Sequence, residues 1–230
     1  MCGRYTLRRI SIQLIRDGLQ LPLPGFEEFS EIKLVPRFNI APSQEVPIIR
    51  LDRNGQREIA FVRWGFIPYW TRGKPKVQPI NARDDKLLSS PMYRDAMARR
   101  RCLVLADGFY EWQGKKPPKT PYFFRRKDDG LFAFAGLWER WRPDEQSEPI
   151  ETCLHITTTP NEVVSPIHDR MPAILSRGDY ERWLDPSVPA EEAIKLLHAY
   201  AGEEMETYVV SSAVNKPEND GPQLVERAAG

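Results

Sequence analysis

The chain has 230 residues, of which 41% are hydrophobic and 28% charged, with a net charge of +1; this suits one sizeable domain with a real core and excludes a globally basic nucleic-acid binder, so any such partner must meet a local patch. Three cysteines, Cys2, Cys102 and Cys153, form an odd set without metal-ligand spacing, which argues against a disulfide framework and for a reducing compartment. No apolar run approaches the ~18 residues needed to span a membrane, and Arg4, Arg8 and Arg9 break any signal-peptide core, so a cytoplasmic protein with no membrane partner is expected.

The chain opens Met1-Cys2-Gly3-Arg4. Removal of Met1, which a small second residue permits, gives Cys2 a free α-amine beside its thiol. Ordinary pKa values of about 8 and about 8.5 leave both groups partly deprotonated at neutral pH. Such a 1,2-aminothiol can attack an aldehyde through nitrogen and close a five-membered ring through sulfur. It can also attack an acyl group with its own amine as base. The plain alternative is a small buried side chain behind a start codon.

Leu7, Ile10, Leu14 and Ile15 have the offsets of an amphipathic helix over 7–21, ended by Pro22 and Pro24. Residues 22–38 read as a loop. Glu45 to Leu51 and Arg57 to Trp64 form a hairpin turned at Asn54-Gly55. The aromatic segment Trp64 to Trp70 reads as packing, with a stacking platform for exposed bases as the rarer reading. A basic loop over 71–79 leads to the extended Asn81-Ala82-Arg83. Helical turns follow over 85–101, then strands over 102–106 and 109–113. Residues 122–126 and 131–138 read as a second hairpin through Lys127-Asp128-Asp129-Gly130. A strand over 152–159, helices over 178–184 and 189–200, a strand over 206–211 and a polar tail over about 213–230 complete the chain. The 21 prolines are scattered and no linker or repeat appears. The pattern predicts a single α+β domain, with a curved, largely antiparallel, barrel-like sheet and short peripheral helices.

Few groups suit catalysis. His168, in Pro166-Ile167-His168-Asp169-Arg170-Met171-Pro172, can move protons near neutrality or simply be held by Asp169. His155, mid-strand, and His198, on a predicted helix, read as structural. Glu111 lies between Tyr110 and Trp112 on a strand, where desolvation would raise its pKa, or else it faces solvent. Asn81 and Arg83, two apart on an extended segment, share one face and can present an amide and a guanidinium. Arg4, Arg83 and Arg170 are scattered phosphate-binding candidates, while Arg99-Arg100-Arg101 reads as a solvated helix face. No metal-ligand pattern and no phosphate-cradling glycine loop occur, so neither a metal nor a cofactor is expected.

Met1-Cys2-Gly3-Arg4-Tyr5, Arg37-Phe38-Asn39-Ile40-Ala41-Pro42, Trp64-Gly65-Phe66-Ile67-Pro68, Asn81-Ala82-Arg83, Asp107-Gly108-Phe109-Tyr110-Glu111-Trp112 and His168-Asp169-Arg170-Met171-Pro172 occur in that order. Together they resemble the SOS-response-associated peptidase family, the abasic-site processing proteins, from residue 1 to beyond Val214-Asn215. The resemblance implies covalent capture of abasic sites in single-stranded DNA through a thiazolidine on Cys2, with autocatalytic removal of Met1 and reversal of the crosslink. It gives Glu111 proton shuttling, His168 assistance to sugar-ring opening, and Asn81 orientation of the reacting groups. Arg4, Arg83 and Arg170 would hold phosphates, Trp70 would stack on bases, and Asn39 and Pro42 would complete the DNA surface. It further implies a monomer in a bacterial cytoplasm, associated with the nucleoid when bound to DNA. Where the family often places a glutamate two residues after Arg83, this chain has Asp85. The competing readings are an N-terminal-nucleophile glutamine amidotransferase, disfavoured by Arg4, a noncovalent single-strand binder, and a protease acting on other proteins.

Overall fold

The computed structural model describes residues 2–11, 13, 15, 19 and 35–228. Its strands are β1 (Arg4–Leu7), β2 (Arg37–Ile40), β3 (Glu45–Leu51), β4 (Arg57–Trp64), β5 (Asn81–Arg83) and β6 (Arg101–Ala106). The remainder are β7 (Gly108–Gln113), β8 (Thr120–Arg126), β9 (Phe132–Trp141), β10 (Ile150–Thr158), β11 (Met171–Pro172) and β12 (Met205–Val209). The α-helices that lie wholly among the described residues are short: Arg94–Arg99, Tyr180–Leu184 and Ala190–Ala193.

Five strands close on themselves. β4 pairs with β3, β3 with β6, β6 with β9, β9 with β10, and β10 returns in parallel to β4. Closure removes the unpaired edges that would otherwise invite further strands. The C-terminal half of β10 leaves this ring and takes β5 in parallel and β11 in antiparallel. A second, antiparallel sheet runs β12-β8-β7-β1-β2. The expected α+β domain with a barrel-like sheet is therefore what the chain forms.

The β3–β4 hairpin has the predicted bounds, with Gly55 at φ 76° in the turn. The second predicted hairpin does not form. β8 pairs with β7 and β12, whereas β9 pairs with β6 and β10. The intervening turn is tied down by Arg126 gripping Asp128 at 2.9 and 2.6 Å, and by Arg8 and Arg125 on Asp129 at 2.7 and 3.0 Å. It passes the chain from one sheet to the other, which turn composition alone does not encode.

Leu7 ends β1 and does not start a helix. Gln13, Ile15 and Leu19 are helical, and the rest of the predicted 7–21 helix lies outside the described residues. Residues 37 and 38, the end of the expected loop, are already in β2. The helical turns expected over 85–101 shrink to the 3-10 turn Asp84–Lys86 and the helix Arg94–Arg99, with Arg101 already in β6.

The two sheets join through aromatic side chains. Tyr5 of β1 meets Trp64, Phe134 and His155 edge-on, with ring centroids 5.4, 5.8 and 5.2 Å away. Phe109 of β7 reaches Phe134 at 6.2 Å. Such T-shaped pairs add about 0.5–1.5 kcal/mol each to simple burial. They fix β1, and with it the N-terminus, against the barrel.

The polar segment after β12 is not a free tail. Val214 and Leu224 are fully buried in a cluster with Tyr110, Phe123, Tyr208 and Val210. The Ala228 N–H donates to the Val209 carbonyl at 2.9 Å.

Candidate active site at the N-terminal cysteine

The site starts with what holds β1 in place. Buried Asp107 accepts hydrogen bonds from the Thr6 hydroxyl at 2.6 Å, the Arg8 and Arg9 backbone N–H groups at 2.6 and 2.9 Å, and Arg8 Nε at 3.0 Å. Gly108, opposite Thr6, has no room for a side chain, because a Cβ there would lie 2.3 Å from Phe123 and 2.9 Å from Thr6 Oγ1. The resulting register pairs Arg4 with Tyr110. Cys2 precedes β1 at the end of β7 that carries Glu111, and the Glu111 carboxylate acts on its thiol.

Cys2 is fully buried, and its Sγ donates to the Arg4 carbonyl at 3.3 Å. Burial pushes the thiol pKa well up, and the nearby Glu111 carboxylate adds to this. At neutral pH the sulfur therefore carries its proton until a base removes it. Asn81, at the start of β5, donates from Nδ2 to the Cys2 carbonyl at 2.8 Å. Its Oδ1 is buried without a hydrogen-bond partner among the described residues.

Glu111 is 3% exposed. Burial raises its pKa to about 7, with the positive chain terminus pulling in the opposite sense. A carboxyl group with that pKa is half-ionised at physiological pH, so it can both take and give a proton. The strand position left burial open. Packing against β8 and β1 decides it.

His168 follows a turn whose carbonyl at Val164 accepts its backbone N–H at 3.0 Å. Its Nδ1 accepts the Arg170 N–H at 3.0 Å and lies 3.0 Å from an Asp169 oxygen. The two contacts make opposite demands on Nδ1, a lone pair for the Arg170 N–H and a proton for the carboxylate, so the ring sits between a donor and an acceptor. Burial lowers the His168 pKa, which favours the neutral ring.

Arg83 and Arg170 come together at the end of β10, since Arg83 is in register with Thr157 and Arg170 donates to the Thr157 carbonyl. Arg170 is buried and paired with Asp84 at 2.6 Å. Arg83 is exposed and grips Asp85 through both nitrogens, at 3.0 and 2.8 Å. The aspartate at this position is thus the right length to close a fork with its neighbour.

Arg4 donates to Asn39 Oδ1 at 3.0 Å and to the Val214 carbonyl at 2.7 Å. Asn39 is fully buried, and its amide reaches the carbonyls of Val214, Lys216 and Asn219 at 3.2, 3.0 and 2.8 Å. Trp112 Nε1 donates to Asn215 Oδ1 at 2.7 Å. The C-terminal segment is therefore a wall beside β1 and β7, which sequence reading missed because its composition is polar. Pro42 is half-buried after β2, and Trp70 is 49% exposed beside Tyr69. His155, read as structural, is buried and stacked 4.5 Å from Trp64. Among the described residues no group of three or more His, Cys, Asp or Glu side chains is placed to hold a metal.

Fold and site define a barrel-based α+β protein that buries the cysteine at position 2 with an amide on its carbonyl and a carboxyl group of raised pKa acting on its thiol. Its sequence matches the profile of the SOS response associated peptidase (SRAP) family over residues 1–217, and the chain belongs to that family. It is 40% identical over 229 residues to the abasic site processing protein YoqW of Bacillus subtilis, covering 98% of this chain and 99% of that one. It is 33% identical over 265 residues to the chicken (Gallus gallus) abasic site processing protein HMCES, covering 98% of this chain and 77% of the relative. A crystal structure of a Bacteroides thetaiotaomicron protein superposes with a TM-score of 0.85 at 29% identity, covering 99% of this chain and 100% of that one.

Proposed function

We propose that this protein captures abasic sites in single-stranded DNA covalently, through the amine and thiol of Cys2. The observation that carries the reading is Cys2 itself, buried with Asn81 on its carbonyl and Glu111, at a pKa of about 7, bearing on its thiol. While Met1 is attached, the Cys2 nitrogen is an amide without a usable lone pair, so removal of Met1 precedes the reaction. Hydrolysis of that peptide bond by the protein itself is part of the proposal.

The abasic sugar exists as a closed hemiacetal and an open aldehyde. His168 assists opening by exchanging protons with the sugar oxygens. The Cys2 amine adds to the aldehyde carbon C1′, and loss of water gives the Schiff base. Glu111 in its acid form protonates the departing hydroxyl. As the carboxylate it then takes the thiol proton while sulfur adds to the same carbon, and the C=N electron pair returns to the nitrogen, which keeps its one hydrogen, to complete the thiazolidine. Asn81 holds the Cys2 carbonyl so that both nucleophiles face one carbon. General acid–base help of this kind contributes about 10²–10⁴-fold. Reversal runs the same steps backwards through the same two residues.

Arg4, Arg83 and Arg170 frame the phosphate path, and exposed Trp70 offers a face to a flanking base. Buried Asn39 acts through Arg4 and the C-terminal wall, and Pro42 shapes the adjoining loop. The protein works as a cytoplasmic monomer.

A denaturing gel tests the proposal. The parent should form an adduct with an abasic single-stranded oligonucleotide that survives denaturation, and Cys2→Ala should form no stable adduct. A Cys2→Ala adduct equal to the parent's would refute the thiazolidine, and glutaminase activity without an adduct would favour the amidotransferase reading.

A further inference from the structure

Two of the arginines assigned to phosphates are already neutralised. Arg170 is paired with Asp84 and Arg83 with Asp85. Arg4 is engaged by the Val214 and Asn215 carbonyls. A DNA strand entering the site therefore needs positive charge from elsewhere.

That charge sits on the loop between β7 and β8, Gly114-Lys115-Lys116-Pro117-Pro118-Lys119. All six residues are exposed, and none of the three lysines is paired with a carboxylate among the described residues. Gly114, at φ 120°, turns the chain out of β7. The pairing of Gln113 with Thr120 sets the loop at one end of this strand pair, the end at which Glu111 lies. Gly114 follows Glu111 by three residues, so the loop begins about 10 Å from it along the strand direction, at ~3.4 Å per residue. Gln113 Nε2 donates to the Pro166 carbonyl at 3.1 Å, fastening the base of the loop to the turn that carries His168. Electrostatically, Lys119 bears on both Glu111 and His168.

We propose that the 114–119 loop is the principal phosphodiester-binding element of the Cys2 site, holding through Lys115, Lys116 and Lys119 the DNA backbone that flanks the captured sugar. This rests on the DNA-capture reading above. Lysine suits the task, since an ammonium on a flexible stem meets phosphates as a point charge without fixed geometry, and abasic sites occur in any sequence.

The test is equilibrium binding of a fluorescent, undamaged single-stranded oligonucleotide, followed by anisotropy between about 50 and 200 mM salt. Removing one phosphate-neutralising cation should flatten the plot of log affinity against log salt by about 0.7 on single strands. A variant carrying Lys115→Gln, Lys116→Gln and Lys119→Gln should lose about 2 from the slope, and Lys119→Gln alone about a third of that. Arg83→Gln should lose less than the triple variant. Lys127→Gln, at the far end of β8, is a charge control and should keep the parent slope. A triple variant with the parent slope, or an Arg83→Gln loss equal to or greater than the triple variant's, overturns the loop proposal while leaving the capture reading intact. A parent that fails to bind single-stranded DNA overturns both.

Discussion

At the scale of single residues, Glu111 has opposite consequences for chemistry and stability. In the proposed capture Glu111 is the base for the Cys2 thiol and works ionised, so the rate of adduct closure should rise with pH through about 7 and then level off. Glu111→Gln should lose that limb and slow closure by about 10²-fold or more, measured as adduct formation in stopped time points. For stability, the folded pKa of about 7 stands above the ordinary 4.5. The folded state thus favours the protonated carboxyl; its contribution is complete below pH 4.5 and is lost as pH rises towards 7. The shift corresponds to about 3 kcal/mol. Glu111→Gln should therefore be more stable than the parent at pH 8, in urea melts, even as it is crippled in capture. Such opposition is expected where a site is built at the expense of stability.

Elements are held by a few buried polar anchors. Asn39 ties β2 to three carbonyls of the C-terminal segment. Asn39→Ala leaves those acceptors and Arg4 short of partners and should cost roughly 3 kcal/mol. Limited proteolysis should then cut within residues 212–228 before the rest of the chain. Gly108→Ala drives a methyl group into Phe123 and Thr6. The cost should exceed about 2 kcal/mol, and adduct yield should fall too, because the β1–β7 register that sets Cys2 is the part displaced. If Gly108→Ala lowered stability with capture unchanged, that register would not be what positions the cysteine.

For the molecule as a whole, the joint between sheet and barrel fixes its response to acid. His155 is enclosed by Tyr5, Trp64 and Phe134, and neither of its nitrogens has a hydrogen-bond partner among the described residues. Burial lowers its pKa from 6.5 to about 3. Its folded form is neutral, so its contribution is present above pH 6.5 and drains away as pH falls towards 3. The size is about 5 kcal/mol over that window. His155→Phe, which keeps a ring against Trp64, should flatten the acid limb of a stability-against-pH curve while the alkaline limb set by Glu111 stays. The two slopes oppose each other, and their joint contribution is greatest between about pH 4.5 and 6.5.

Local chemistry is what the sequence by itself determined. A cysteine after the initiator, Asn54-Gly55 between two alternating runs, and ordered motifs around Asn81, Glu111 and His168 were legible because each depends on neighbours a few residues away. The barrel-like α+β class was legible too, from many short strands with turns between them. Tertiary structure alone decided how those strands are shared out. β8 and β9 look like one hairpin and join different sheets, because pairing energy depends on the partners available across space and not on the turn between. It alone made a wall of the polar segment after β12, since Val214 and Leu224 find an apolar face on distant β7, β8 and β12. It also decided which cations near Cys2 are already satisfied. Asp84 neutralises Arg170 only once β5 lies along β10, whereas the Arg83–Asp85 pair is local. Burial of Cys2 and Glu111, on which the proposed capture depends, is likewise a property of packing between sheets, which no single strand encodes.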